Sequence, residues 1–326
     1  MKPPPFSAVS DEEIQHAAAL LRSGKLVAFP TETVYGLGAN ALDADAVARI
    51  FEAKGRPHTS PVIVHVGDQE MAAKVAASWP TAAQMLAQKF WPGPLTLVVP
   101  KTAVVPDIVT AGLPTVGVRM PAHRLALALI RAAQVPVAAP SANRFTQLSP
   151  TTAEHVREGL GDRVDYVLDG GPCDLGIEST VLSLAGEGPV QLRPGGISRQ
   201  QIEEVIGPVI TGEHAPKGPH ESPGMHLRHY SPRTPVFLVE TGRVPQEGRG
   251  AYLEISDPPE RKVSEAITMP GNAREYAASL YRILHDLDAK GYDWIAVEKP
   301  TGGAEWEAVL DRLRRASSTG LEDQGQ

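Results

Sequence analysis

Short apolar runs of strand length alternate along this chain with stretches whose apolar residues recur at helical spacing, and that alternation restricts it to an α/β layer structure. Ser10 stands where a helix cap belongs, with Glu13 three residues on, and Ile14, Ala17, Ala18 and Leu21 repeat with helical period up to Gly24. Residues 25–29 read as a strand that delivers the chain into 30–38 as a loop. Helices follow over 45–54, 81–90, 123–133, 152–160 and 197–206, with strands over 61–66, 95–99, 116–119, 135–139, 166–168 and 181–184 between them.

At 326 residues the chain exceeds one ordinary core, since cores stop growing near roughly 250 to 300 residues. The apolar period disappears between 207 and 235, where proline, glycine and histidine dominate, and this predicts a linker. Strands over 236–240, 251–255 and 294–298 and helices over 274–289 and 305–315 then make a second, smaller α/β domain, followed by a polar tail from 317. The net charge of -7 argues against a broad nucleic-acid face, which needs clustered Lys and Arg. Cys173 is the single cysteine, so an intrachain disulfide and a cysteine-rich metal site are excluded, as suits a reducing cytoplasm. Residues 1–10 lack the apolar segment of a secretory leader, and no run approaches the roughly 20 apolar residues of a membrane span.

A phosphate site needs close backbone amides or fixed cations, yet the chain has neither a Walker A lysine loop nor a dinucleotide glycine fingerprint after its first strand. Polar loops at strand ends remain. Thr31, Glu32 and Thr33 precede Gly36 and Gly38, whose missing side chains permit a tight turn against a ligand or simply an ordinary strand-to-helix turn. Lys54, Gly55, Arg56 and Pro57 read either as a helix end with cations complementing its dipole or as a phosphate clamp. His65 interrupts an apolar strand, as a satisfied core position or as a ligand contact. Arg119 ends another, and a guanidinium there needs a carboxylate or a ligand anion. Ser141, Ala142 and Asn143 follow an apolar run, and Ser149 to Thr152 are placed to cap a helix. Ser179 beside Glu178, and Arg193 ahead of Gly195 and Gly196, add a hydroxyl, a cation and flexible backbone, while nothing marks Cys173 as an activated thiolate.

Taken in order, PTETVYGLG from Pro30, KGRP from Lys54, PVIVHV from Pro61, FWPGPLT from Phe90, TVGVRMP from Thr115, APSAN from Ala139, DGGPCDLGIESTV from Asp169 and LRPGG from Leu192 resemble the threonylcarbamoyl-AMP synthase family. These YrdC-like enzymes supply the intermediate for N6-threonylcarbamoyladenosine in tRNA. The resemblance implies a YrdC-like catalytic domain over 1–207, with a twisted mixed sheet flanked by helices. It implies the long form of the family, with a linker over 208–235 that folds over the active site and a small Rossmann-like domain over 236–326. L-threonine, bicarbonate and ATP are the implied substrates and L-threonylcarbamoyladenylate and pyrophosphate the products. The adenylate would pass to a tRNA threonylcarbamoyl transferase, with no membrane and no stable nucleic-acid partner.

Carried across at matching positions, the resemblance implies that Thr33, His65, Arg119, Ala139 and Ser179 surround threonine, Arg119 taking its carboxylate. It implies a nucleotide site of Lys54, Arg56, Ser60, Thr115, Ser141, Asn143, Ser149, Arg193 and Tyr230, with Lys54 and Arg56 neutralising the reacting phosphates. Ser60 stands where the family has Asn, and His226 where it has Lys or Arg, which makes any charge at 226 pH-dependent. Glu32 receives no role. Magnesium is expected on ATP oxygens, since no acidic cluster has ligand spacing. Two rivals remain: a related carbamoyl transferase, disfavoured by the single cysteine and the lack of a segment for extra modules, and a non-catalytic RNA-binding module, weakened by the acidic balance.

Overall fold

Ser10 accepts the amide of Glu13 while the Glu13 carboxylate accepts the amide of Ser10, so α1 (Asp11–Arg22) begins on the reciprocal cap that its sequence predicts. The structure is a computed structural model and describes residues 9–211 and 230–317. These divide into two units, one of 9–145, 150–174 and 178–211, the other of 146–149, 175–177 and 230–317.

In the first unit β1 (Val27–Phe29) pairs antiparallel with β2 (Gly36–Asn40), Val27 opposite Gly38 and Phe29 opposite Gly36. The reading of 30–38 as a loop is therefore corrected, because its last residues are strand. Packing is the reason: a Cβ on Gly38 would lie 2.8 Å from Phe29 Cε1 and 2.9 Å from Val137 Cγ1. The bare position admits those two side chains, not a ligand, and neither Gly36 nor Gly38 has a positive φ.

Helix α2 (Ala44–Lys54) is capped by Asp43 and stops at Gly55 in left-handed conformation, φ 62°. It is followed by β3 (Val64–His65), α3 (Gln69–Val75), α4 (Thr81–Phe90), β4 (Leu95–Pro100), α5 (Asp107–Thr110), β5 (Thr115–Arg119), α6 (Arg124–Ala133) and β6 (Val137–Ala138). Then come α7 (Ala153–Leu160), β7 (Tyr166–Val167), β8 (Thr180–Ser183), β9 (Val190–Arg193), α8 (Arg199–Ile206) and β10 (Ile210–Thr211). Helices α3 and α5 escape the sequence pattern because 7 and 4 residues are too few to show a period. Strand β10 falls inside the segment read as linker and pairs with β9.

Among the described residues ten strands form one mixed sheet in the order β10-β9-β8-β4-β5-β3-β6-β2-β1-β7. Strand alternation sorts its faces. Val64, Leu95, Leu97, Val99, Val116 and Val118 join the main core. Ile63, His65, Thr96, Val98, Gly117 and Arg119 therefore take the opposite face, where Ile63, Val98 and Val181 form a separate small apolar patch.

The second unit holds β11 (Val236–Val239), β12 (Gly250–Glu254), β13 (Glu265–Thr268), α9 (Ala273–Asp288), β14 (Trp294–Glu298) and α10 (Glu307–Ala316). Its sheet is wholly parallel, ordered β11-β14-β12-β13. Glu298, buried at the end of β14, accepts the amides of Ile255 and Ser256 at 2.6 and 3.2 Å and the hydroxyls of Thr241 and Ser256. One carboxylate thus ties down the turns after β11 and β12. No helix among the described residues is long and apolar enough to cross a membrane.

The Gly38 contacts predict that Gly38→Ala shifts the denaturant unfolding transition downward, by about 1 to 3 kcal/mol of lost stability from overpacking. An unshifted transition would show that Phe29 yields at no cost.

Candidate active site

Thr31 turns the chain as it leaves β1. Its Oγ1 accepts the amides of Thr33 and Val34, each at 3.2 Å, and its hydroxyl donates to the Val34 carbonyl at 2.6 Å. This turn carries Glu32 and Thr33 to Arg119 at the end of β5. Arg119 donates from Nη2 to Glu32 Oε1 at 2.7 Å, from Nη1 to Thr33 Oγ1 at 3.1 Å and from Nε to the Gly93 carbonyl at 3.3 Å. The other Glu32 oxygen accepts the Ala122 amide at 3.0 Å. Glu32, without a role in the sequence, is thus the carboxylate that buried Arg119 requires. A guanidinium has five N–H donors; among the described residues these three bonds leave one on each terminal nitrogen, available to a ligand carboxylate.

His65 is the register partner of Arg119 across β3 and β5, so both side chains lie on the same sheet face. Its Nδ1 is buried and has no hydrogen-bond partner among the described residues. Burial first, and then the Arg119 charge, push its pKa down to about 3, so the ring is neutral.

Ser179, just before β8, is held from two sides. Its hydroxyl lies 2.8 Å from Thr96 Oγ1 on β4 and accepts Arg193 Nη2 at 3.2 Å, while its carbonyl accepts Arg193 Nε at 3.1 Å. The approach that permits this depends on Gly195, where a Cβ would come within 2.3 Å of the Thr180 amide nitrogen. Thr96 was not singled out by the sequence. Its only signal there is a hydroxyl inside the apolar run from Leu95 to Pro100.

Of the two readings of the Lys54 segment, the helix end is present. Gly55 caps α2, and the two cations turn inward and are buried. Lys54 Nζ donates to the carbonyls of Ser141 and Asn143, both at 2.5 Å, and to Asn143 Oδ1 at 3.3 Å. Burial, with Arg56 adding to it, holds Lys54 well below the usual lysine range, against which the two close carbonyls favour the ammonium. Arg56 Nη2 donates to Ser60 Oγ at 2.6 Å and the Pro61 carbonyl at 2.9 Å, and its guanidinium sits 5.9 Å from the Phe145 ring centre. Ser60 therefore reaches the group through Arg56.

Ala139 donates its amide to the Ile63 carbonyl, and Ser141 bridges to Gly36, which seats the Ala139 to Asn143 turn against β2. Thr115 opens β5, about 13 Å along the strand from Arg119 at ~3.3 Å per residue. Two candidates belong to the second unit: the Ser149 carbonyl lies 3.1 Å from His285 Nε2, and Tyr230 packs beneath Arg312 with 5.1 Å between guanidinium and ring centre. His226 and most of the segment read as linker, 212–229, lie outside the described residues. Among the described residues no three His, Cys, Asp or Glu side chains gather as a metal site.

A family model described as telomere recombination, that of the Sua5, YciO and YrdC proteins, matches residues 19–195, and one described as threonylcarbamoyl-AMP synthase, C-terminal domain, matches 197–318. Threonylcarbamoyl-AMP synthases of Pyrococcus abyssi and Bacillus subtilis are each 43% identical to this chain over 95% of its length, and over 95% and 94% of their own. The chain belongs to the threonylcarbamoyl-AMP synthase family. A crystal structure of P. abyssi Sua5 complexed with L-threonine matches with a TM-score of 0.87 at 41% identity, over 95% of this chain and 96% of that one. The family's two matched segments meet at 195–197, where β9 and the Gly195 turn lead into α8.

Because His65 has a folded pKa far below its unfolded value, its contribution to stability is complete above about pH 6.5 and is lost as pH falls toward 3 and the unfolded chain takes the proton. Carbon-13 NMR of labelled histidine should show no titration of His65 between pH 8 and 5; a midpoint near 6.5 would contradict its burial as neutral imidazole.

Proposed function

We propose that this chain forms L-threonylcarbamoyladenylate and pyrophosphate from L-threonine, bicarbonate and ATP, as the nucleotidyltransferase that serves N6-threonylcarbamoyladenosine formation in tRNA. The observation that carries the reading is the buried Arg119 fork with one donor left on each terminal nitrogen. It belongs to a chain similar over 95% of its length to a Sua5 solved with L-threonine. Arg119 takes the threonine carboxylate, and Thr33, His65, Ala139 and Ser179 surround the rest. Threonine is selected through its hydroxyl, because a site built to hydrogen-bond a hydroxyl rejects an analogue lacking it.

The amine of threonine adds to bicarbonate with loss of water, giving a carbamate. One carbamate oxygen then attacks the α-phosphorus of ATP, the bond to the β-phosphate bridging oxygen breaks, and pyrophosphate leaves with that electron pair. Negative charge gathers at the transferring and leaving groups, so fixed cations in a water-poor site lower the barrier. Lys54, Arg56 and Arg193 are those cations, with Ser60, Thr115, Ser141, Asn143, Ser149 and Tyr230 completing the nucleotide site. All three donors of Lys54 already serve the Ser141 to Asn143 turn, so it acts through its field unless it exchanges one bond for a phosphate oxygen. Glu32 is committed to Arg119, and a magnesium ion would be held by ATP oxygens, where it neutralises phosphate charge.

The proposal extends to the division of labour: catalysis over 1–207, a linker over 208–235 and a C-terminal domain over 236–326. It also extends to hand-over of the adenylate to a tRNA threonylcarbamoyl transferase in the cytoplasm. Purified protein given ATP, threonine and bicarbonate should yield threonylcarbamoyl-adenylate by mass spectrometry under cold, fresh handling, and absence of product would overturn the reading. Pyrophosphate release should be faster with threonine than with serine or 2-aminobutyrate; equal rates would remove the specificity argument.

A further inference from the structure

We propose that Glu32 is a positioning residue for Arg119 that also screens its charge, so that the site takes an amino acid by the geometry of its carboxylate and turns away simple anions. The inference rests on the proposed threonine-binding role of Arg119. Glu32 is 7% exposed, and its two oxygens have separate duties, one to Arg119 Nη2 at 2.7 Å and the other to the Ala122 amide at 3.0 Å. The carboxylate is therefore pinned between β5 and the backbone just beyond it. Arg119, bonded in turn to Glu32, Thr33 and Gly93, has no freedom to swing.

The charge balance matters as much as the position. A buried guanidinium without a counter-ion attracts any anion small enough to reach it, because the low local dielectric magnifies the attraction. Here one co-substrate is bicarbonate and the other is ATP, so an uncompensated Arg119 would trap the wrong anions in the place reserved for threonine. With Glu32 at 2.7 Å the pair is close to neutral. Two directed N–H donors remain, and they reward a planar carboxylate whose ammonium and hydroxyl find partners at the same time.

Calorimetric titration of the full chain with L-threonine, in chloride or acetate at constant ionic strength, tests this with Glu32→Gln and Glu32→Asp. The wild type should bind threonine with little dependence on acetate. Glu32→Gln should weaken threonine by roughly tenfold, the scale of one lost charge-assisted hydrogen bond, and should become sensitive to competition by acetate, while the KM for ATP stays within about twofold. Glu32→Asp keeps the charge and loses the reach, so it should weaken threonine without gaining acetate sensitivity. That variant decides the matter if circular dichroism shows Glu32→Gln unfolded: threonine affinity equal to wild type in Glu32→Asp overturns the proposal. So does a folded Glu32→Gln that binds threonine normally or ignores acetate. Wild-type protein that binds no threonine overturns the functional reading itself, and this inference with it.

Discussion

A guanidinium buried to 4% exposure cannot stand without acceptors, and the three that hold Arg119 come from segments far apart in sequence. The turn after β1 supplies Glu32 and Thr33, the turn after α4 supplies the Gly93 carbonyl, and Glu32 passes the constraint on to Ala122 beyond β5. The local geometry of the site follows from satisfying that one side chain. Thr31 closes its turn so that two acceptors arrive together, and the sheet puts His65 in register with Arg119 on the same face.

The cations around the proposed nucleotide site obey the same rule with a different result. Lys54 and Arg56 are buried and donate to the chain's own carbonyls and to a serine hydroxyl, so they shape the Ser141 to Asn143 and Ser60 to Pro61 turns before any phosphate arrives. A positive field fixed in this way needs little rearrangement when anionic charge develops, which is what electrostatic preorganisation requires.

Much of this was legible in the sequence, and the failures have physical reasons. Helices α1, α2, α6, α7, α8 and α9 carry apolar periods and caps that act locally, so their existence could be read residue by residue. The ordered motifs named the family and drew attention to Arg119, Ser179 and Lys54. What stayed hidden depends on neighbours distant in the chain. Gly36 and Gly38 looked like turn residues, and only Phe29 and Val137 packed against Gly38 show why strand residues there must lack side chains. Glu32 had no role until Arg119, 87 positions away, supplied one, and Thr96 had none until Ser179 came within 2.8 Å. Strand β13 alternates between half-buried and exposed positions and carries too little apolar character for its period to register.

The Glu298 clamp has a bearing on the second unit as a whole. Open parallel sheets bind ligands in the crevice beyond the carboxyl ends of their strands, where the connections part to opposite sides. In this sheet β14 lies between β11 and β12, and the turns that leave those two strands are fastened to a carboxylate at its end. The chain thus places its own buried carboxylate at the carboxyl end of this sheet and holds it there with four hydrogen bonds from those two turns.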